Sequence, residues 1–374
     1  MRKTYLYRAR INKATEEACN QWLVICRGLY NLALRQRIDI YRQYKKSISL
    51  YEQMAELPEL KKAFPEFKTV GSQCLQDVLE RVDRAFQDFF QRLKTRKGKA
   101  GFPRFKGRNR FHSFTLKQAG WKLEGRFLYI KNIGRFKLFF SREVRGDIKT
   151  VTIRRAPTGK WFVAFSCDNV PLKEFPETLA EVGIDVGIKS FCVDSCGNRI
   201  DNPKYFRQSE KLLRRRQRSL SRKKKGFGKR DKSRILVAKA HEKIVNQRKD
   251  FLHKLANFYI KGFNAIYIED LNIRGMVKNR YLAKSISDAG WGMFAKFLMY
   301  KAAEAGRHVI SIPPHNTSQI CSGCGKKTSK TLSLRIHRCP HCNLVLDRDL
   351  NAAIVIKQRG QRCQALTSAQ AGVA

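Results

Sequence analysis

Two Cys-x-x-Cys pairs constrain the fold of this chain more than any other sequence feature. Cys321–Cys324 and Cys339–Cys342 are separated by the fourteen residues 325 to 338. Each pair can form a tight turn, and four soft thiolates on two turns supply the tetrahedral coordination that Zn²⁺ adopts in structural sites. Because four thiolates fill the coordination shell, the sequence predicts a structural zinc in a short insert that ends just before Asp347.

The remaining cysteines and the histidines near the second pair do not have a clear metal-ligand spacing. His337 and His341 lie beside the second pair, and we expect them to be exposed or to contact phosphate. Seven further cysteines have no ligand spacing and are expected to be ordinary thiols: Cys19, Cys26, Cys74, Cys167, Cys192, Cys196 and Cys363. Thiols without a disulfide pattern are typical of a reducing compartment.

The first residues do not have the pattern of a targeting segment. The N-terminus begins with basic residues, but the longest apolar run near it, Trp22–Cys26, is too short for a signal peptide or a membrane span. We therefore expect a cytoplasmic protein, or a nuclear one in a eukaryote, without a membrane partner.

A large positive charge restricts the function. Lys and Arg number 77 against 31 acidic residues, and the net charge is +46. Self-repulsion at that charge disfavours a compact chain unless a polyanion neutralises it, and nucleic acid is the usual polyanion. An anionic membrane and a ribosomal role are the alternatives. The 43% hydrophobic content indicates a globular protein, and 374 residues suffice for two or three domains.

The first half of the chain alternates between strand and helix patterns. Residues 2–10 have the period-two pattern of a strand, and Thr15 marks the start of a helix. A second helix is predicted from Leu75 to Leu93. Residues 112–170 read as short strands, with a hairpin turn at 157–160. If the first strand joins that sheet, the helices form an insertion.

A basic segment from Lys94 to Phe111 separates these helices from the strands. Phe102, Phe105 and Phe111 alternate there with cations, which is typical of single-stranded nucleic-acid binding. The aromatic rings could equally pack against the neighbouring helices, and the sequence leaves both interpretations open. We expect the cations to contact phosphate: Arg96, Lys97, Lys99, Arg104, Lys106, Arg108 and Arg110.

The second half begins a new pattern. Apolar runs predict four strands, at Val182–Val186, Phe191–Val193, Ala265–Ile268 and His308–Ile312. A helix is predicted at Trp291–Ala305. The segment 208–261 is basic and helical in pattern, with an interruption at Gly226–Gly228. Six of its cations are candidate nucleic-acid contacts: Arg214, Arg215, Arg216, Lys223, Lys224 and Lys225.

Three acidic residues have unusual positions in these elements. Asp185 lies inside an apolar strand between Gly183 and Gly187, where an acid is costly unless it is paired or binds metal. Glu269 directly follows another apolar strand. Asp349 is placed in the first turn of a helix, with Asp347 as its N-cap.

Together these acids suit a two-metal phosphodiesterase. In such a site one metal generates the attacking hydroxide and the other stabilises the leaving oxygen. Carboxylate oxygens favour Mg²⁺ or Mn²⁺. Taken singly, each acid has a structural explanation, and the neighbouring Asp270 and Asp347 are alternative choices.

The order of these motifs resembles the TnpB family of transposon-encoded RNA-guided DNA nucleases, relatives of the type V CRISPR effectors. The resemblance covers most of the chain and is most specific from 181 to 356. It is carried by five motifs: Gly183–Gly187, Ile268–Leu271, Thr317–Cys324, the second cysteine pair and Asp347–Ala353. Tyr30–Ala33 and Phe102–Lys106 are also similar to the family.

The resemblance implies a multidomain α+β fold. A wedge-type β-barrel (1–12 and 108–180) is interrupted by a helical recognition module (13–107). A RuvC-like α/β nuclease domain of RNase H fold (181–315 and 346–374) contains a zinc-ribbon insert (316–345). Asp185, Glu269 and Asp349 are then the metal-binding catalytic triad, in preference to Asp270 and Asp347.

The resemblance also implies partners and an activity. A guide RNA from the transposon end directs the protein to double-stranded DNA that carries a short transposon-adjacent motif, and one RuvC-like site cuts both strands. A companion transposase encoded by the same element is a further expected partner. The alternatives are an RNA-guided regulator of transposition without cleavage and an unguided RuvC-like nuclease.

Overall fold

The computed structural model describes residues 1–95, 100–108, 110–329 and 334–371, with side chains described as far as residue 365. The chain divides into two compact units, Met1–Pro171 and Leu172–Ala374. Among the described helices, none combines the length and the apolar character that crossing a membrane requires.

Seven antiparallel strands form the sheet of the first unit. They are β1 (Lys3–Arg10), β2 (Ser113–Leu116), β3 (Trp121–Glu124), β4 (Phe127–Ile130), β5 (Gly134–Phe139), β6 (Asp147–Arg155) and β7 (Trp161–Asp168). The strand order is β2-β6-β7-β1-β5-β4-β3. The first strand therefore joins this sheet, between β7 and β5, and the helices that follow it form an insertion. With β2 and β3 at its edges, the sheet is a half-barrel.

The chain between β1 and β2 is helical. It contains α1 (Lys13–Tyr44), α2 (Leu50–Ala55), α3 (Leu57–Ala63), a 3₁₀ turn (Pro65–Thr69) and α4 (Ser72–Thr95). Helix α1 begins earlier than the Thr15 start that the sequence predicts. Its N-cap is Asn12, whose side chain accepts a 2.8 Å hydrogen bond from the Thr15 amide. The apolar faces of α1 and α4 share one core with the sheet, where Trp22 packs on Phe114 at 5.3 Å between ring centroids.

Five strands form the main sheet of the second unit. They are β8 (Glu181–Val186), β9 (Ser190–Asp194), β10 (Arg199–Asp201), β11 (Ala265–Glu269) and β12 (His308–Ile312), in the order β10-β9-β8-β11-β12. Strands β8, β9 and β10 are antiparallel neighbours, whereas β8, β11 and β12 are parallel.

Helices and a small hairpin complete the second unit. These elements are α5 (Tyr205–Ser221), α6 (Gly228–Gly262), α7 (Ile273–Met276), α8 (Ala283–Ala289), α9 (Trp291–Ala305), β13 (Ile336–Arg338), β14 (Val345–Asp347) and α10 (Arg348–Ala371). The helix predicted at 291–305 and the interruption at Gly226–Gly228 are both confirmed.

Strand β11 is buried on both faces. Ile266 and Ile268 belong to the core that α6 and α9 build, while Tyr267 packs in a separate cluster with Ile356 of α10. Because alternate residues of a strand point to opposite faces, helices on both sides require the continuous apolar run that the sequence shows.

Candidate active site

Asp185 and Glu269 lie side by side at the ends of two parallel strands. In the pairing of β8 with β11, Ile184 is opposite Ile268, so the next residue on each strand is one of the two acids. The carboxyl ends of parallel strands meet at one edge of a sheet, which is where ligands bind in open α/β folds. Asp270, the alternative choice, is exposed, and its amide donates a 2.8 Å hydrogen bond to the Ile312 carbonyl.

The Glu269 carboxylate is held by Thr317. The Thr317 hydroxyl, on a side chain only 5% exposed, donates a 2.5 Å hydrogen bond to Glu269 Oε1. Burial raises the pKa of Glu269, whereas the Thr317 bond and the charge of Arg359 act to lower it. The hydroxyl thus fixes one oxygen of the carboxylate and favours its ionised form.

Asp349 lies in the first turn of α10, and Asp347 caps that helix. Asp347 Oδ1 accepts hydrogen bonds from the amides of Asp349 (2.9 Å) and Leu350 (3.2 Å), which confirms the predicted cap. The other oxygen of Asp347 pairs with Arg199 at 2.8 Å. Both side-chain oxygens of Asp347 are thus engaged, one by the helix N-terminus and one by Arg199. The Asp349 carboxylate lies beside two cations, Arg348 at 3.1 Å and Arg335 at 3.7 Å.

Two glycines allow α10 to lie close against the sheet. A Cβ on Gly183 of β8 would be 2.2 Å from the Ala353 carbonyl oxygen. A Cβ on Gly360 of α10 would be 2.0 Å from the ring of Tyr267 on β11. Any larger residue at either position would separate helix and sheet. This close packing carries Asp349, one turn before Ala353, towards Asp185.

The three acids interact electrostatically. The pKa of Asp185 is raised well above its ordinary value, first by burial and then by the charges of Glu269 and Asp349, while Arg348 acts in the opposite direction. Within the described residues the oxygens of the three acids do not all lie within 4.8 Å of one another. Three carboxylates supply the hard oxygen donors that a divalent cation prefers, and the charge of such a cation would offset their mutual repulsion.

The four predicted zinc ligands come together in a separate cluster. The sulfur atoms of Cys321 and Cys342 are 3.6 Å apart and those of Cys324 and Cys339 are 3.5 Å apart. All four sulfur atoms lie within 4.8 Å of one another. These separations suit tetrahedral thiolate coordination with Zn–S bonds of about 2.3 Å. The cluster therefore fits a structural Zn²⁺.

The expectation for the adjacent histidines is correct for one and wrong for the other. His341 is exposed. His337 is fully buried: it lies on β13, opposite Leu346 of β14, between two exposed residues of the strand. Neither of its ring nitrogens has a hydrogen-bond partner among the described residues.

Asn351 joins the cysteine cluster to α10. Its fully buried side chain donates a 2.7 Å hydrogen bond to the Ile320 carbonyl and accepts a 2.9 Å bond from the Ser322 amide. Sequence reasoning assigned no role to Asn351 or to Thr317, although both lie inside the motifs already quoted. Their residue types are common in any protein, and only their buried hydrogen bonds distinguish them.

The aromatic rings of the basic segment differ in burial. Phe111 is buried beside Tyr30, with ring centroids 6.2 Å apart. Phe102 contacts Phe89 edge-on, with centroids 5.3 Å apart, but it remains 48% exposed, and Phe105 is 46% exposed. The packing interpretation is therefore correct for Phe111, and base stacking stays a prediction for Phe102 and Phe105.

The predicted phosphate contacts of this segment are exposed where they are described. Arg104, Arg108 and Arg110 face solvent. The Lys106 ammonium lies 5.1 Å from the centroid of the Tyr30 ring, and Asn31 forms two hydrogen bonds to the Lys106 backbone. The remaining three predicted contacts lie outside the described residues: Arg96, Lys97 and Lys99.

The six candidate contacts in α5 and in the segment between α5 and α6 have mixed environments. Arg214 and Arg215 line an open basic groove, although Arg214 also pairs with Glu210 at 3.1 Å. Other members hold α5 to α6 or pack locally: Arg216 donates to the Leu236 carbonyl, Lys223 donates to Ser233, and Lys224 lies over the Phe227 ring. Lys225 is exposed. Nucleic-acid contact remains a prediction for all six.

Three family models match this chain. The model described as "Probable transposase" (OrfB_IS605) matches residues 164–280. The "Cas12f1-like, TNB domain" model matches residues 291–356, which include the cysteine cluster and Asp349. The "Helix-turn-helix domain" model (HTH_OrfB_IS605) matches residues 1–46.

Curated relatives are similar along most of the chain. A protein of Streptomyces pristinaespiralis named "Putative RNA-guided DNA endonuclease" is 34% identical over 336 residues, which cover 87% of this chain and 81% of that protein. "Putative RNA-guided DNA endonuclease InsQ" of Escherichia coli K12 is 29% identical over 375 residues, covering 94% and 91%.

Solved structures share the fold at low sequence identity. The structure titled "Cryo-EM structure of the Cas12f1-sgRNA-target DNA complex" matches 92% of this chain and 83% of its own, with a TM-score of 0.59 and 15% identity. "Cryo-EM structure of CasPhi-2 (Cas12j) bound to crRNA" matches 96% and 98%, with a TM-score of 0.50 and 10% identity. The likeness establishes a multidomain α+β fold.

Proposed function

This chain belongs to the TnpB family of transposon-encoded RNA-guided DNA endonucleases, and we propose that it is itself an RNA-guided, metal-dependent DNA endonuclease with a single RuvC-like site. One observation carries the proposal. The pairing of β8 with β11 places Asp185 beside Glu269, and α10 carries Asp349 to the same end of the sheet. Three neighbouring carboxylates that nearby arginines neutralise only in part suit a divalent-metal site.

The proposal extends to the domains. We assign residues 181–315 and 346–374 to a nuclease domain of RNase H fold, 316–345 to a zinc ribbon, 1–12 and 108–180 to a wedge domain, and 13–107 to a recognition module. The strand order β10-β9-β8-β11-β12, with an antiparallel hairpin beside three parallel strands, supports the first assignment.

The residues around the acids would prepare the site for phosphodiester hydrolysis. Mg²⁺ or Mn²⁺ held by Asp185, Glu269 and Asp349 would activate water and neutralise charge that develops on the phosphate. Thr317 orients the Glu269 carboxylate and favours its ionised state. Arg348 holds Asp349 through its guanidinium group, so that both outer carboxylates are fixed before a metal binds.

The partners follow from the charge and from the named relatives. A net charge of +46 requires extensive polyanion contact, which a bound RNA and a DNA target together would provide. We propose a guide RNA from the transposon end, a double-stranded target with an adjacent motif, and a companion transposase from the same element. Cellular activity would then take place in the cytosol or nucleoid.

The deciding experiment begins with the RNA that co-purifies with the protein. Sequencing this RNA defines a target, and the complex should cut that DNA only with Mg²⁺ or Mn²⁺. Asp185→Ala should abolish cleavage but leave target binding intact. Asp270→Asn is the matched control, because it removes an exposed carboxylate at the end of the same strand as Glu269 and should retain activity.

The other outcomes identify the alternative functions. Specific RNA with target binding but no cleavage by the wild type would indicate an RNA-guided regulator. Cleavage without any RNA would indicate an unguided nuclease of the same fold. Either result would overturn the proposal.

A further inference from the structure

A basic cleft lies beside the three acids within the second unit. Its walls include Lys189, Lys204, Arg207 and Arg335, and Ser285 and Asp288 form part of its lining. Four cations around one concavity form a site for an anion of matching size, and a phosphodiester is the anion that the proposed substrate supplies.

The acid in the cleft is already neutralised. The Asp288 side chain is 3% exposed and pairs with Arg248 at 2.9 Å. Its two oxygens also accept hydrogen bonds from the amides of Phe206 (2.9 Å) and Arg207 (3.3 Å). Asp288 thus caps α5 and does not cancel the charge of the cations around the cleft.

The Asn202 side chain links the two backbone segments that carry the lysines of the cleft. The Asn202 side chain donates a 3.0 Å hydrogen bond to the Ile188 carbonyl and accepts a 3.2 Å bond from the Lys204 amide. Both lysines are exposed, and within the described part of the chain neither Lys189 nor Lys204 forms a salt bridge. Their ammonium groups are available to a ligand.

Lys204 has a left-handed backbone conformation, which is more favourable for glycine and asparagine than for lysine. Its φ is 49° and its ψ is 44°. A lysine here therefore gives the fold no advantage over asparagine. This makes Lys204→Asn a variant that removes the charge without burdening the backbone.

The cleft connects to the acids on two sides. Arg335 Nη1 is 3.7 Å from Asp349 Oδ2. Lys189 lies in the tight turn that follows β8, the strand that carries Asp185. Because a guanidinium group has five N–H donors, Arg335 can contact Asp349 and a phosphate at the same time.

We propose that Lys189, Lys204, Arg207 and Arg335 bind a backbone phosphate of the DNA strand being cut, next to the phosphate that is hydrolysed. The inference rests on the proposed nuclease function and names the contact that positions its substrate. Three acids repel a polyanion, and a cationic cleft adjoining them would hold the strand in one polarity across the site.

Replacing one phosphodiester at a time in the target strand by a neutral methylphosphonate tests the contact. With the complete protein–RNA complex and Mg²⁺, one linkage adjacent to the cut should slow single-turnover cleavage about tenfold, the size of a lost charge-assisted hydrogen bond. Lys189→Gln and Lys204→Asn should each slow cleavage of ordinary DNA to a similar extent. In these variants the same linkage should cause no further loss.

Lys249→Gln provides the control, because it removes an exposed lysine of α6 outside the cleft. It should leave both the rate and the sensitivity to the neutral linkage unchanged. Thermal melting of each variant separates a folding defect from a lost contact, and Lys204→Asn is expected to melt at or above the wild-type temperature.

Two results would overturn the inference. If the losses from the lysine variants and from the neutral linkage multiplied at every position, the lysines would not contact that phosphate. If every position were equally insensitive in the wild type, no phosphate contact would exist there. A wild-type complex that cuts no target would instead refute the nuclease function, and the inference with it.

Discussion

Thr317 donates a 2.5 Å hydrogen bond to Glu269, a residue on a different element of the second unit. The bond satisfies a nearly buried hydroxyl and orients one carboxylate oxygen at the end of β11. It also opposes the burial that raises the pKa of Glu269. A threonine that the sequence leaves without a role thus orients a candidate metal ligand and favours its ionised form.

Thr317→Val should slow cleavage roughly 10–100-fold, the usual cost of losing an outer-shell hydrogen bond at a metal site. Without the donor the carboxylate is less stable, so the pKa of Glu269 rises and the acidic limb of the pH–rate profile moves to higher pH. Thr317→Ser keeps the hydroxyl and should keep the profile. An unshifted profile in the valine variant would show that Thr317 acts only through packing.

Asp185→Asn should abolish cleavage while stabilising the metal-free fold. The substitution removes the repulsion from Glu269 and Asp349, and we expect a rise in the melting temperature of about 2–4 °C, or roughly 1 kcal/mol. Calorimetry in a chelating buffer measures the change, and Asp270→Asn provides the control.

The same group predicts a pH dependence. The pKa of Asp185 is higher in the folded than in the unfolded chain, so the wild type gains stability as the pH falls through the folded pKa. The gain is complete below the ordinary carboxyl pKa of about 3.9. The difference in melting temperature between Asp185→Asn and the wild type should therefore shrink on acidification. A constant difference would contradict the electrostatic account.

Gly183→Ala should destabilise the second unit by about 1–3 kcal/mol, because the new methyl group meets the Ala353 carbonyl oxygen and pushes α10 away from the sheet. Urea denaturation measures the loss. In Gly28→Ala the new methyl group meets nothing within 4 Å inside helix α1, and this variant should be neutral or more stable by about 0.5–1 kcal/mol. Equal losses in both variants would argue against close packing at Gly183.

Cys321→Ser should remove bound zinc and lower the melting temperature on the order of 5–10 °C, because metal binding contributes directly to folding. Elemental analysis should find about one zinc per wild-type chain. Cys196→Ser changes an exposed thiol outside the cluster and should leave zinc content and melting unchanged. A zinc-free wild type that melts normally in a chelator would contradict a structural metal site.

Much of the secondary structure could be predicted because its signals are local. The period-two run at 2–10, the helical period from Leu75 to Leu93 and the apolar runs of β8 and β11 each depend on neighbouring residues alone. The structure places the helix cap at Asn12 and not at Thr15; both residue types cap helices, so the sequence alone does not decide between them. The spacing of His337 next to a cysteine predicts exposure or phosphate contact, whereas the folded insert buries this side chain on β13.

By itself the sequence determined the chemistry that this protein can perform: a thiolate set with zinc spacing, three acids in apolar or helix-start positions, and a charge that requires a polyanion. Only the tertiary structure decided which groups meet. Parallel pairing of β8 with β11 places Asp185 beside Glu269, and the gaps left by Gly183 and Gly360 allow α10 to approach with Asp349. Residue spacing reports contacts within one element, whereas strand register and helix packing depend on the whole core.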